Sequence, residues 1–243
     1  MEAVSRANLR VVLVSPRNPL NIGAAARAMF NFGFSRLRVV NPYEVAFREA
    51  RSAVGAREIL EGAEEFQSVA DAVADCALVV GTTSLGHREL EHSLRPLGDG
   101  APAIRRQMKR APAALLFGSE KFGLSNEDLA HCHWLMRITT ADRQHSMNLG
   151  QAVAVCLYEL SRGELDTAAR PARAPKPATA GETEQITNLL LDALRKSGYV
   201  NPVTSVSTET KVRRLVRRLE LSARDVPVLL GMLRQILWKL DSK

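Results

Sequence analysis

Cysteine is scarce in this chain. The three cysteines, Cys76, Cys132 and Cys156, lie far apart and none belongs to a CxxC pair. This spacing argues against a disulfide framework and against a structural zinc site, and it favours a reducing compartment such as the cytoplasm. His131 and His133 flank Cys132, which leaves a metal site open there, although no third acidic or thiol ligand is evident.

Long apolar runs are also missing. No run approaches the roughly 20 residues that a membrane-spanning helix needs, and the first ten residues, MEAVSRANLR, lack the apolar stretch of a secretory signal. Aromatic residues make up only 5% of the chain, but hydrophobic residues make up 46%, which is typical of a globular protein. A chain of 243 residues is long enough for one large domain with an appendage.

Familiar phosphate-binding and hydrolase motifs are absent. The chain has no GxGxxG and no Walker A loop, which disfavours an ordinary dinucleotide or triphosphate site. It also lacks GxSxG and HExxH, so the common hydrolase sites are disfavoured. The net charge is +7, from 33 basic and 26 acidic residues. A basic balance favours an anionic partner, of which nucleic acid is the commonest.

The first two thirds of the chain contains several short, continuous apolar runs. Such runs, each ending in a polar loop, are typical of buried parallel strands. Amphipathic segments between them predict helices, one of which begins at Asn21 and ends at Gly33, and another of which covers Ile104 to Arg110. We therefore predict an α/β fold with five or six parallel strands and helices on both faces. The predicted strands are Leu9 to Ser15, Leu37 to Val40, Ala77 to Gly81, Ala113 to Phe117 and Trp134 to Ile138.

In two segments the apolar residues do not recur at a helix or strand spacing. Leu85 to Gly100 resembles a long functional loop. Residues 163–181 are rich in alanine, threonine and proline, which predicts a flexible linker. The linker would separate a domain of residues 1–162 from a helical C-terminal extension of residues 182–243. A Ser222-x-x-Asp225 capping box predicts the start of the last helix of this extension.

One helix of the extension carries many basic residues. Its apolar face, Val212, Leu215, Val216 and Leu219, predicts packing. The rest of its surface is either an ordinary solvated face or a contact with RNA. The basic residues are Lys211, Arg213, Arg214, Arg217 and Arg218.

Polar loops follow four of the predicted strands, at 15–21, 81–84, 118–124 and 139–148. Because parallel strands end at one edge of a sheet, these loops are where a ligand would bind. Arg27 lies two helical turns beyond Asn21 and could hold a phosphate, or it could merely keep its helix solvated. Glu120 is either a base or a tie between a loop and a helix end. Ser146 and Asn148 are either site residues or helix caps.

Three stretches resemble the motifs of one family, in the right order and spacing. They are NPLNIGAAARAMFNFGF from Asn18, LLFGSEKFGLSNEDL from Leu115, and HSMNLGQAVAVCLYEL from His145. They are similar to the motifs of the SpoU branch of the SPOUT RNA methyltransferases. The form of the first motif, the VVNP after it and the helical extension most resemble the TrmJ group of that branch.

The resemblance implies a parallel α/β sheet with a deep C-terminal trefoil knot, and a homodimer that packs the Asn21 and Leu149 helices across a two-fold axis. It also implies S-adenosylmethionine as the cofactor, and no metal. The positions that match the cofactor site of the family are Thr82, Gly118, Glu120, Gly123, Leu124, Ile138, Ser146, Met147 and Asn148.

The reaction implied by the resemblance is methyl transfer to the ribose 2′-hydroxyl of nucleotide 32, a C or U in the anticodon loop of tRNA. Arg27, Asn21 and Ser146 match the catalytic positions. Arginine is a poor base because it stays protonated, so we expect Arg27 to clamp the phosphate beside the target ribose and to lower the pKa of the hydroxyl. The expected RNA-binding residues are Arg17, Arg27, Lys211, Arg214 and Arg218.

Other functions stay open from the sequence. Relatives of the tRNA group often carry arginine where this chain has Ser119, which keeps a ribosomal RNA methyltransferase as the alternative. A non-catalytic RNA-binding protein on the same fold is disfavoured by the intact motif residues. A small-molecule enzyme of the doubly wound type is disfavoured by the missing phosphate loop and the basic tail.

Overall fold

A seven-stranded sheet forms the centre of the molecule, with strand order β3-β2-β1-β6-β4-β7-β5. The computed structural model describes residues 6–45, 47, 56–84, 92–141, 146–162, 175–200 and 205–242. Every neighbouring pair of strands is parallel, as the sequence predicted. The strands are β1 Leu9–Val14, β2 Arg36–Val40, β3 Glu64–Phe66, β4 Leu78–Thr82, β5 Leu94–Pro96, β6 Ala113–Phe117 and β7 Trp134–Arg137.

Helices cover both faces of this sheet, which confirms the predicted α/β fold. The prediction of five or six strands is too low, because the described residues form seven. The larger apolar cluster lies under α1, α4 and α6 and contains Ile22, Met29, Ile104 and Val153. The smaller cluster lies on the other face, under α3 and α5. In the described residues the helices are α1 Pro19–Phe32, α2 Arg57–Glu61, α3 Val69–Ala72, α4 Leu97–Met108, α5 Asn126–Ala130, α6 Leu149–Ser161, α7 Ala180–Lys196, α8 Ser205–Arg218 and α9 Asp225–Asp241.

Helices α1 and α6 pack closely against each other on the larger cluster. A Cβ atom on Gly150 would lie 2.5 Å from the Cβ of Ala24, so the absence of a side chain permits this approach. The predicted start of α1 at Asn21 is wrong by two residues, because Pro19 suits the first helical turn and the Asn18 side chain accepts a hydrogen bond from the backbone N–H of Leu20 at 2.9 Å.

The predicted functional loop of residues 85–100 is partly wrong. Residues 85–91 lie outside the described residues, but β5 and the beginning of α4 occupy its second half. Helix α4 therefore begins at Leu97, well before the predicted Ile104. Two glycines and Pro102 in this helix hid its start, because both residue types disfavour a helix interior.

The end of the predicted linker is ordered. Residues 163–174 lie outside the described residues, but α7 already begins at Ala180, with a capping box between Thr179 and Glu182. The backbone N–H of Ala180 donates to the carbonyl oxygen of Cys76 at 2.6 Å, and that of Gly181 donates to Ala74 at 2.8 Å. The C-terminal helices are therefore attached to the smaller-cluster side of the sheet.

A buried charge cluster fixes α8 to α7. Arg217, which the sequence placed on a face either solvated or in contact with RNA, has a side chain only 1% exposed. Its Nη1 donates to Thr183 Oγ1 at 2.6 Å, and its Nη2 donates to Glu184 Oε2 at 3.2 Å. Arg213 Nε donates to the other carboxylate oxygen of Glu184 at 3.1 Å. We call these four residues the Glu184 cluster.

The predicted apolar face of α8 is half buried. Val212 and Val216 are buried, whereas Leu215 and Leu219 are exposed, because only one side of α8 faces α7. The predicted capping box of the last helix is incomplete: the Asp225 carboxylate accepts hydrogen bonds from Ser222, but no side chain caps α9. In the described parts of the chain, no helix is long and apolar enough to cross a membrane.

Candidate active site

A cavity of about 290 Å³ opens at the carboxyl edge of the sheet. Because the strands are parallel, the loops that follow β4, β6 and β7 all reach this edge. They bring together eight of the nine positions expected to bind a cofactor; the ninth, Asn148, does not line the cavity. The lining residues are Thr82, Thr83, Ser84, the segment 117–124, Ile138, Thr140, Ser146, Met147, Leu149 and Ala152.

The turn after β6 forms one wall of the cavity. A Cβ atom on Gly118 would lie 2.0 Å from the carbonyl carbon of Gly123, so no larger residue fits there. The N–H of Gly123 donates to the carbonyl oxygen of Ser119 at 2.8 Å, and the Ser119 hydroxyl accepts from the N–H of Phe122 at 3.3 Å. Ser119 is itself buried, and its side chain therefore stabilises the turn.

Glu120 ties this turn to the loop after β1. Its carboxylate accepts hydrogen bonds from the backbone N–H groups of Arg17 and Asn18 and from the side-chain amide of Asn21, each at 3.1 Å. Burial alone would raise the pKa of Glu120, but the hydrogen bonds to its carboxylate, including that from Asn21, hold the pKa below its usual value. The carboxylate is therefore ionised and already accepts three hydrogen bonds. This favours the structural role of Glu120, which connects a loop to a helix end, over a role as a general base.

Asn21 extends this connection to helix α6. Its Oδ1 accepts a hydrogen bond from Asn148 Nδ2 at 2.7 Å, while Asn148 Oδ1 caps α6 by accepting from the N–H of Gln151 at 3.3 Å. One chain of hydrogen bonds, from Glu120 through Asn21 to Asn148, thus joins the three sequence motifs beside the cavity, which Glu120 lines. Asn148 is therefore a helix cap, which was one of its two predicted roles; the other was a site residue.

The two arginines expected to bind RNA near the site lie outside the cavity. Arg27 is exposed on α1 and makes no hydrogen bond or ion pair with any described residue. Arg17 is also exposed, and only its backbone N–H contacts Glu120. Ser146, by contrast, lines the cavity. The structure therefore brings Ser146 and Asn21 towards the cavity, but not Arg27.

Some lining residues were not named individually from the sequence. Thr83, Ser84 and Thr140 line the cavity, and they lie in the loops 81–84 and 139–148 that were predicted to bind a ligand. Phe122 is 62% exposed in the middle of a polar turn. An aromatic residue between Lys121 and Gly123 has no role in the core, and that was the available signal for it.

The open metal site at Cys132 does not form. His133 Nδ1 accepts a hydrogen bond from the N–H of Val79 at 3.0 Å, so this nitrogen is not available to a metal. Burial raises the pKa of the Cys132 thiol to about 12. Among the described residues, no group of three or more His, Cys, Asp or Glu side chains could hold a metal ion.

Known proteins resemble the chain over most of its length. The tRNA (cytidine/uridine-2'-O-)-methyltransferase TrmJ of Sodalis glossinidius (strain morsitans) is 32% identical over 233 residues, which cover 94% of this chain and 91% of that protein. The crystal structure of TrmJ from Z. mobilis ZM4 matches with a TM-score of 0.82 and 31% identity, over 93% of this chain and 98% of that one.

A more distant structure includes a cofactor. The SpoU methyltransferase AviRb from Streptomyces viridochromogenes in complex with the cofactor AdoMet matches with a TM-score of 0.50 and 25% identity, over 64% of this chain and 60% of that one. The model of the SpoU rRNA Methylase family matches residues 8–158, which include all three motifs. The resemblance seen in the motifs is therefore confirmed, and the chain belongs to the SpoU rRNA methylase family.

Proposed function

We propose that the protein is an S-adenosylmethionine-dependent methyltransferase of tRNA that modifies the ribose 2′-hydroxyl of nucleotide 32, a C or U in the anticodon loop. The observation that carries this proposal is the joining of three family motifs beside one cavity, through hydrogen bonds between Glu120, Asn21 and Asn148. The similarity to TrmJ proteins along nearly the whole chain supports the choice of tRNA. The cytoplasm, where tRNA is modified, is the expected location.

The cavity suits S-adenosylmethionine. Its lining combines apolar side chains such as Phe117, Leu124 and Ile138 with hydroxyls such as Thr82 and Ser146, and such a mixture matches a ligand that has both a flat heterocycle and polar groups. The backbone of Gly123 and Leu124 passes so close to Gly118 that no side chain fits there, so this part of the wall is main chain. When bound, this cofactor supplies an activated methyl group on a sulfonium.

The protein's own residues would bind and orient the RNA. Ser146 and Asn21 lie where they could hold a ribose hydroxyl in line, which is a large part of catalysis in a direct transfer. The Asn21 amide is held in one orientation by Glu120 and Asn148. Arg27 would bind the adjacent phosphate, and its fixed positive charge would favour loss of the hydroxyl proton.

A homodimer would bring Arg27 to the boundary between two sites. Helix α1 exposes Leu20, Ala24 and Arg27 along one face, with Leu20 80% exposed. Phe30 of α1 and Tyr158 of α6 are exposed as well. Apolar side chains at this density favour burial against another protein surface. Two copies that pack through α1 and α6 would cover these side chains.

The C-terminal helices would extend the RNA-binding surface of the catalytic domain, residues 1–162. Lys211 and Arg218 are exposed on α8, whereas Arg214 is half-buried. With a net charge of +7, the chain suits a polyanion, and such contacts weaken as salt concentration rises. Arg213 and Arg217 are not part of this surface, because both are engaged by Glu184.

The test is methyl transfer from labelled S-adenosylmethionine to unmodified bulk tRNA and, in parallel, to ribosomal RNA, with the modified nucleotide mapped. We expect label on the ribose of nucleotide 32 of tRNA. Label in ribosomal RNA alone would contradict the tRNA assignment and favour the ribosomal alternative. Cofactor binding without transfer to either RNA would favour the non-catalytic alternative.

Arg27→Ala tests the proposed phosphate clamp. We expect it to abolish methyl transfer and to leave the affinity for S-adenosylmethionine unchanged, because Arg27 does not line the cavity. Arg106→Ala is the matched control, because it removes an exposed arginine from a different helix, α4. It should keep full activity. Loss of cofactor binding in Arg27→Ala, measured by calorimetry, would show that this role is wrong.

A further inference from the structure

Phe122 is an aromatic side chain that lies at the cavity and is largely exposed to solvent. Its ring is 62% exposed although it lines the cavity. Other exposed aromatic residues, such as Tyr43, Tyr158 and Tyr199, do not line it. A scattered exposed apolar side chain needs no explanation, but an exposed ring at the mouth of a ligand cavity, on a chain with few aromatics, points to a binding role.

The backbone beneath Phe122 is held in place. The Ser119 hydroxyl accepts from its N–H at 3.3 Å, and the next residue, Gly123, donates to the carbonyl oxygen of Ser119 at 2.8 Å. Gly123 has a φ of +67°, a conformation that glycine adopts without strain. A ring on a fixed turn loses little conformational entropy when it binds a flat partner.

A cation lies beside the ring. The Nζ of Lys121 is 5.0 Å from the centroid of Phe122, within the range of a cation–π contact. The pair therefore presents an aromatic surface and an ammonium group together. This combination suits single-stranded RNA, whose bases stack on aromatic side chains while its phosphates bind basic ones.

We propose that Phe122 stacks on a base of the RNA substrate at the target nucleotide and so helps to hold its ribose at the cavity. This inference rests on the proposed function and adds a positioning residue to it. Stacking makes little distinction between bases, which agrees with a site that accepts both C and U. The positive charge of Lys121 favours the RNA phosphates over the cofactor, whose sulfonium sulfur is itself positively charged.

Three substitutions test the ring. Phe122→Ala should lower kcat/KM for tRNA by about 5- to 150-fold, the range that loss of one base–aromatic stack gives. Phe122→Leu should be similarly impaired, because leucine keeps apolar bulk without a π surface. Phe122→Tyr should restore kcat/KM to within about twofold, since its ring can stack equally well. Tyr199→Ala, which removes an exposed ring elsewhere, is the control and should be unchanged.

Cofactor affinity separates RNA stacking from a contact with the cofactor. We expect calorimetry to give the same affinity for S-adenosylmethionine in the wild type and in Phe122→Ala. A parallel fall in cofactor affinity and in kcat/KM would overturn the proposal and assign the ring to the adenine of the cofactor. An unchanged kcat/KM in Phe122→Ala would also overturn it.

A binding measurement keeps the test independent of turnover. In Phe122→Trp, the added tryptophan fluorescence, measured as the difference from the wild type, should be quenched by an anticodon stem-loop RNA and not by the cofactor alone. Quenching by the RNA without methyl transfer would support the stacking of residue 122 on a base and would contradict the proposed activity. Methyl transfer at nucleotide 32 without quenching would retain the activity and overturn the stack.

Discussion

Glu184→Gln is expected to destabilise the attachment of the C-terminal helices. Glu184 is the carboxylate of the Glu184 cluster and accepts hydrogen bonds from Arg213 and Arg217 at 3.1 and 3.2 Å. Burial lowers the pKa of Arg217, and the charge of Glu184 opposes this effect. The substituted amide would keep the shape of the side chain but remove the charge that compensates a guanidinium only 1% exposed.

The expected loss is large because one charge stays buried. Removing one partner of a buried ion pair typically costs about 3–5 kcal/mol. Glutamine retains one acceptor oxygen, so we expect a value near the lower limit, about 3 kcal/mol. The double variant Glu184→Gln/Arg217→Met removes the buried cation as well. It should therefore recover part of this loss, since apolar replacements of buried ion pairs are often neutral or stabilising.

Urea unfolding followed by circular dichroism measures these differences. Glu209→Gln is the control, because it removes a carboxylate from a more exposed pair with Arg195, and exposed pairs contribute little. Equal stability of Glu184→Gln and this control would refute a large contribution from the buried charge. A double variant no more stable than Glu184→Gln alone would refute it as well.

Gly118→Ala should weaken S-adenosylmethionine binding by about tenfold or more. A Cβ atom there would lie 2.0 Å from Gly123, and about 1.4 kcal/mol of strain is enough for a tenfold loss of affinity. Gly98→Ala is the control: Gly98 has open space around it, so this variant should bind the cofactor normally in the same calorimetric titration. Burial lowers the pKa of His131 to about 4 and that of His133 to about 3. Below a pH of about 6.5, therefore, only the unfolded chain binds these protons. As the pH drops further, the free energy of unfolding should fall by about 1.4 kcal/mol per pH unit for each imidazole, until the pKa of the folded state is reached. Urea midpoints that do not change between about pH 7.5 and pH 5 would contradict this.

The sheet was predictable where burial alone determines the pattern. Strand β6 is buried along its whole length, and its continuous apolar run predicted it within a residue. Strands β3 and β5 have three residues each, too few to show a pattern, and β5 is recognisable only once β7 is there to pair with it. A capping box such as that of Ser125 and Asp128 at the start of α5 is also predictable in principle, because its two residues are close in sequence.

The contacts of the site were harder to predict, because they join distant residues. The loops at the strand ends and the glycines at 118 and 123 could be identified from the sequence. The partners of Glu120 lie about 100 residues away, and only the strand order brings them together. Arg217 has the same difficulty: its spacing from Arg213 puts both on one side of α8, but nothing local reveals that Glu184 covers that side.

The pairing of β1 with β6 has a consequence for the synthesis of the chain. Leu9 is paired with Ala113, so the first strand completes its hydrogen bonds only after about 100 more residues have been made, roughly 5–20 s of translation. Contacts of such long sequence separation also form slowly after release. The cavity needs the still later loop at Ser146. A nascent chain therefore acquires its site only after most of it has left the ribosome, and ligand binding at the cavity reports a fully assembled sheet.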